Sequence, residues 1–323
     1  MVQVKRSSAI SSLTDPDKDN WQSVRAQMEF HARGVAALQH VVPVKRAEGA
    51  AFLLLARLCA RDWVAADGQI RPPTDPQPVS MNAIAASLGR PAETIRRHLR
   101  WLESLGVATV DRRGAALATT DDIAGRLATY LATMHDAMLL YGVDLADADD
   151  MLPVKPGNAW AVPTAEVIER ALDIMLVPFA LQPLLLTNWC AGIVYLGISY
   201  ENIRRVKDHP VLSRRYREVN TPDSLRDPVP LLAVATHFGL PYASVWRSAQ
   251  LLRMLRVARP VARDGWLVTA ADLHEERPKQ ARLAYRGYVA RQFRALLATG
   301  YDPAKARGRL FEPQRGYAVP HSG

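Results

Sequence analysis

The stretch MNAIAASLGRPAETIRRHLRWLESLGV (Met81 to Val107) returns 150 residues later as LLAVATHFGLPYASVWRSAQLLRMLRV (Leu231 to Val257). Gly89 and Gly239 coincide, as do Pro91 with Pro241, Leu102 with Leu252, Leu105 with Leu255 and Val107 with Val257. Further on, Leu117 matches Leu267 and Thr119 matches Thr269. An internal repeat of this kind predicts two units of one fold. Upstream, LLLARLCA from Leu53 matches LLLTNWCA from Leu184. Downstream, GRLATYLATMHDAMLLYG from Gly125 resembles ARLAYRGYVARQFRALLATGY from Ala281, both long helical patterns that end at a glycine. Cys59 and Cys190 fall at one position of the repeat, so a packing role is expected for both.

Within the first unit, Ile84, Ala85 and Leu88 recur at helical spacing, and Gly89 is placed for a tight turn. Pro91 then suits a helix start, Ile95, Leu99 and Leu102 make the apolar stripe of a second helix, and Gly106 suits a left-handed cap. The run VATVDRRGAALATT to Thr120 reads as a β-hairpin around Asp111 to Gly114, and Thr120 before Asp121 and Asp122 suits a further helix start. The second unit repeats this order, with Arg263, Asp264 and Gly265 at its hairpin tip.

Helix, glycine turn, helix and hairpin, met twice, resemble the winged helix-turn-helix family of DNA-binding proteins. The resemblance implies a mainly α fold, with two such domains in one chain, small β-hairpin wings and long flanking helices. A further helix is expected around Asn20 to His40. The expected division is a tail and helix over 1–43, a first domain over 44–150, a linker and helix over 151–173, a second domain over 174–310 and a tail over 311–323. The resemblance also implies recognition helices over 91–104 and 241–254 in the major groove, with wings reaching phosphates or the minor groove.

At 100° per residue, burying Ile95, Leu99 and Leu102 turns Glu93, Arg96, Arg97 and Arg100 outward. Arginine pairs with guanine edges or phosphate, so these residues, with Thr94, are candidate DNA contacts. Arg112 and Arg113 at the wing tip would add phosphate contacts. The alternative is a solvated helix face whose arginines pair with Glu93 and Glu103. In the second unit, burying Val245, Ala249 and Leu252 turns Trp246, Arg247, Gln250 and Met254 outward. Ser244, Trp246, Arg247, Gln250 and Arg263 are the candidates there, although Trp246 and Met254 would also suit a protein contact.

Charge follows the same asymmetry. Residues 1–200 carry 19 basic and 21 acidic side chains, while residues 201–323 carry 22 and 11. The basic excess of the last third forms two groups, one around Arg204, Arg205, Lys207, Arg214, Arg215 and Arg217. The other runs through Arg277, Lys279, Arg282, Arg286, Arg291 and Arg294 to Lys305, Arg307 and Arg309. Each is a solvated surface or a track for DNA backbone.

From Ile174 to Tyr200 no residue is charged, a length sufficient to cross a bilayer. Pro178, Gln182, Pro183, Thr187 and Asn188 interrupt it, so two buried helices joined near Pro183 are expected and no membrane partner. The polar start MVQVKRSSAISS holds no apolar signal, and a cytoplasmic, nucleoid-associated location is expected. No phosphate loop, nucleophile elbow or metal-ligand pair is present, so no enzyme activity, cofactor or metal is expected. His98 and His237 read as packing residues, and DLADADD (Asp144 to Asp150) reads as a solvated linker.

Three functions follow in order: a sequence-specific double-stranded-DNA-binding regulator of transcription, a plasmid- or phage-type replication initiator, and an adaptor whose winged helices bind protein. Copy one is expected to read bases, and copy two to hold backbone or a partner. The closing helices and the LLL-x-x-x-CA helices are expected to join the two copies in one chain, or two chains in a homodimer.

Overall fold

The computed structural model describes residues 20–43, 48–148, 152, 160–180, 189–261 and 265–312, and these are mainly helical with two small antiparallel sheets. Helix α1 (Trp21–Leu38) starts where the side chain of Asn20 accepts the amide of Ser23 at 3.1 Å. That bond satisfies one of the helix's unpaired first-turn donors. Helix α2 (Glu48–Cys59) follows, then α3 (Met81–Leu88) and α4 (Ala92–Ser104). Pro91 is the residue before α4, so the expected helix over 91–104 begins one position later. Strands β1 (Ala108–Val110) and β2 (Ala115–Leu117) form the expected hairpin, and α5 (Asp121–Asp147) closes the segment with Asp121 and Asp122 in its first turn.

The second half repeats these elements. Helix α6 (Thr164–Ala180) and α7 (Trp189–Asp208) come first, then the short α8 (Pro210–Arg215). Strand β3 (Val229–Pro230) leads into α9 (Leu231–His237) and α10 (Tyr242–Met254). Strands β4 (Arg259–Val261) and β5 (Gly265–Leu267), α11 (Ala270–His274), α12 (Glu276–Ala298) and α13 (Pro303–Ala306) complete it.

The helix pairs agree in backbone detail. Gly89 and Gly239 both have φ 58°, which lets the chain reverse between the paired helices. After α4, the amide of Gly106 (φ 72°) bonds Glu103 and that of Val107 bonds Leu102. After α10 the same bonds run from Arg256 to Arg253 and from Val257 to Leu252, but Arg256 carries a side chain at φ 57°. A left-handed residue with a Cβ costs roughly 1 kcal/mol that glycine does not. Arg256→Gly should therefore raise stability by about 1 kcal/mol, read as a shift in the urea midpoint. A lowered midpoint would show that the arginine side chain outweighs the backbone strain.

Each hairpin gains a further backbone partner that the sequence patterns did not indicate, a single bridge in the first segment and a third strand in the second. Val79, just before α3, exchanges two backbone bonds with Ala115 at 2.7 and 2.9 Å. At the corresponding place β3 pairs with β5, with Val229 opposite Trp266. Pro230, which lacks an amide donor, sits on the sheet's edge.

The two segments interlock. Helix α1, which precedes the first, packs on α5 and on α7 of the second; α6, which precedes the second, packs on α12 and on α2 and α5 of the first. Charge pairs hold the crossings: Arg57 donates to Asp173 at 2.9 Å, and Arg61 donates to both oxygens of the buried Glu169 at 2.8 and 3.1 Å. The buried Arg25 on α1 donates to the carbonyls of Ser213 and Tyr216 at 2.9 and 3.0 Å, and Lys207 pairs with the buried Glu29. The closing helices meet through Tyr141 and Phe293, with ring centroids 5.6 Å apart. One continuous core runs through both segments and includes Phe30, Phe52, Ile95, Leu99, Ile168, Phe238 and Phe293.

Several expectations are modified. The boundary set between residues 173 and 174 falls inside α6. The uncharged run is two helices, α6 ending at Ala180 and α7 starting at Trp189, while residues 181–188 and Pro183 lie outside the described residues. No helix among the described residues is long and apolar enough to cross a membrane. The acidic run is not a free linker throughout, since α5 continues to Asp147 and burial pushes the Asp144 carboxyl up to about 6; Asp149 and Asp150 lie outside the described residues. Cys59 is buried, and its thiol is pushed up to about 11 by that burial, whereas Cys190 is only half-buried because α7 turns it toward the rim of the core.

Candidate nucleic-acid interface

Ile95, Leu99 and Leu102 of α4 are fully buried against α2 and β1. Each contributes roughly 2 kcal/mol by leaving water, which fixes the rotation of the helix. Glu93, Arg96, Arg97 and Arg100 are consequently exposed, with Thr94 half-buried at their margin. Two arginines have local partners: Arg96 lies 3.2 Å from Glu93, and Arg100 lies 2.7 Å from Glu103. Such exposed pairs hold by less than about 1 kcal/mol, so a phosphate or a base edge can replace the carboxylate. Arg97 is exposed and makes no ion pair among the described residues.

Two acidic residues organise the adjoining hairpin, and the sequence patterns assigned neither to that task. Glu103 uses its second oxygen to accept the amide of Val110 at 3.2 Å, tying β1 to α4. Asp111 accepts the amides of Arg113 and Gly114 at 2.8 and 3.0 Å and the Arg113 guanidinium at 3.2 Å. Those amide bonds, the Arg113 amide first, lower the Asp111 carboxyl below its ordinary range. The tip is thereby closed with Arg112 and Arg113 exposed. Gly114 (φ 151°) lies so close to the Val79 carbonyl that any Cβ would collide with it. The DRRG tetrapeptide carried this signal, as an aspartate two and three residues before the amides it caps.

The second segment presents a different face. Val245, Ala249 and Leu252 are buried in α10, as the spacing predicts. Trp246 and Arg247 are exposed, while Gln250 and Ser244 are half-buried. Leu232 (63%), Tyr242 (51%), Trp246 (49%), Met254 (74%) and Leu255 (48%) are exposed apolar side chains of this segment's helix pair and its end, against Leu105 (36%) alone among the described residues of the first segment. Tyr242 and Leu232 were not among the predicted contacts. Arg263 lies outside the described residues, as does Asp264.

The hairpin of this segment is held from behind by Asn202 of α7, which is fully buried. Its amide nitrogen donates to the carbonyls of Asp227 and Trp266 at 2.7 and 3.0 Å, and its oxygen accepts the amide of Val268 at 2.9 Å. Asp223 adds a bond from the amide of Ala270 at 2.7 Å and an ion pair with Arg259 at 3.6 Å. His98 and His237 are half-buried on the helix pairs, and burial lowers both below the ordinary histidine range.

The two basic groups outside the helix pairs are partly engaged within the fold. Arg204 pairs with Glu201 at 3.1 Å, Arg205 with Asp227 at 3.4 Å, and Lys207 with Glu29. Arg282 lies over Trp21 at 4.9 Å and Arg291 over Tyr288 at 5.2 Å. Arg214 and Arg294 are exposed, and the side chain of Arg277 lies outside the described residues. Net charge alone thus overstates the free cationic surface of the last third. Among the described residues no three metal-ligating side chains gather. No protein-family model, curated protein or solved structure matches the chain.

Proposed function

We propose that this chain is a sequence-specific double-stranded-DNA-binding protein of transcription-regulator type, made of two winged helix-turn-helix units fused into a pseudo-dimer. In this reading α4 and α10 are the recognition helices, and the hairpins after them are the wings. The observation that carries it is the exposed arginine face of α4 (Arg96, Arg97, Arg100) beside a pre-shaped wing tip that displays Arg112 and Arg113. A helix of this width fits the major groove, and two unlike reading helices in one interlocked body favour two unlike half-sites about 34 Å apart. A location on the bacterial nucleoid belongs to the same proposal.

The test is selection of sites from random duplex DNA, followed by the affinity of the winner and of a scrambled control over a salt series. A regulator of this kind should prefer the winner by about 10³-fold or more, with a log–log salt slope of about −5 for roughly six phosphate contacts. Equal affinity for winner and control at every salt concentration would overturn the proposal.

A further inference from the structure

From Pro228 to Arg263 the chain contains five arginines and no acidic residue. Tyr242 and Trp246 stand one helical turn apart on α10, and half of each side chain is exposed. Among the described residues neither ring stacks on another ring or lies under a guanidinium. Arg247, Arg253 and Arg256 are exposed around them and make no ion pair among the described residues. The first segment is different: its recognition helix displays arginines and no aromatic ring on the outward face, and two of those arginines are neutralised by glutamates.

Bases inside a duplex are stacked on each other and present only their edges to a groove. An exposed aromatic ring has its favourable partner in the flat face of a base that has left the stack. Unpaired arginines beside the rings supply the charge that the accompanying phosphates require. A protein partner would instead have to bring carboxylates to the same arginines while covering the rings.

We propose that Tyr242 and Trp246 form a stacking platform for unpaired nucleobases, with Arg247, Arg253 and Arg256 on the flanking phosphates, so that the second segment binds single-stranded nucleic acid. This extends the duplex reading to a second form of nucleic acid, and it stands on residues other than those of α4.

The test uses the full chain and three probes: a labelled oligo-dT of about twenty nucleotides, an abasic oligomer of the same length, and the selected duplex. Oligo-dT should bind about tenfold or more tightly than the abasic oligomer, which has the same phosphates and no base faces. Tyr242→Ala with Trp246→Ala should abolish that preference and leave abasic affinity unchanged, while Trp246→Phe should keep most of it. Equal binding of the two oligomers by the unaltered chain would overturn the proposal, as would an undiminished preference in the double alanine variant. Conversion of a concentration-dependent dimer to monomer by that variant, with the dT preference intact, would assign the face to a second copy of the chain and also overturn it. The duplex probe separates the two readings: base-dependent single-strand binding without duplex site preference would refute the regulator proposal alone, and the reverse would refute the platform alone.

Discussion

Replacing Arg96 and Arg97 together with alanine should erase the preference for a selected duplex while leaving the melting transition in place. Both side chains are exposed on α4, and neither supports the core stripe of Ile95, Leu99 and Leu102. A well-formed arginine contact to a base edge discriminates by about 1–3 kcal/mol, so the pair should account for about 2–6 kcal/mol, or roughly 30-fold to 10⁴-fold. Arg112→Ala with Arg113→Ala at the hairpin tip is the informative comparison. In the proposed reading those residues meet phosphates, so their loss should weaken winner and scrambled duplex equally and reduce the salt slope by about 2. Unchanged site preference in the Arg96 and Arg97 variant would remove α4 from the interface. A loss of preference confined to the wing variant would place sequence reading in the hairpin.

Asn202→Ala should be among the most destabilising single changes in the second half, by about 4 kcal/mol in urea unfolding. The side chain is fully buried and makes three bonds, to Asp227, Trp266 and Val268. Each such bond contributes about 1 kcal/mol net, and the backbone groups left without a partner in the interior add their desolvation cost. Asn202→Asp should be worse than alanine: it keeps an acceptor for the Val268 amide but turns a negative charge toward two carbonyl oxygens. Strand β5 should loosen first, visible as faster hydrogen exchange at Trp266 and Val268 before global unfolding. A cost below about 1 kcal/mol for Asn202→Ala would mean that water takes over the three bonds.

The two segments differ in the charge and apolar surface they leave uncovered. The arginines of α4 are fewer free cations than a count of residues implies, because Glu93 and Glu103 sit within one turn of Arg96 and Arg100. On α10, Arg247 and Arg253 have no such neighbour, and the apolar side chains there remain uncovered. The second segment therefore carries the more open combination of charge and aromatic surface, although α10 is less polar than α4.

What the sequence determined by itself was local. The turn glycines, the stripes at Ile95 and Val245 and the hairpin positions all depend on residues within a few places of each other. Their geometry is set by helical period and backbone sterics, and both are legible as spacing. The tertiary structure decided what depends on distant partners. The extra partner of each hairpin is one residue pair in the first segment, Val79 with Ala115, and two in the second, Val229 with Trp266 and Pro230 with Gly265, too short to show a period of two. Asn202 meets Val268 across 66 positions, and Arg61 meets Glu169 across 108. In the sequence those residues look like any polar side chain on a helix. The packing of α7 behind the second hairpin buries Asn202, and the packing of α6 on the first segment buries Glu169; removing water from a polar group leaves it no partner except the one the fold supplies.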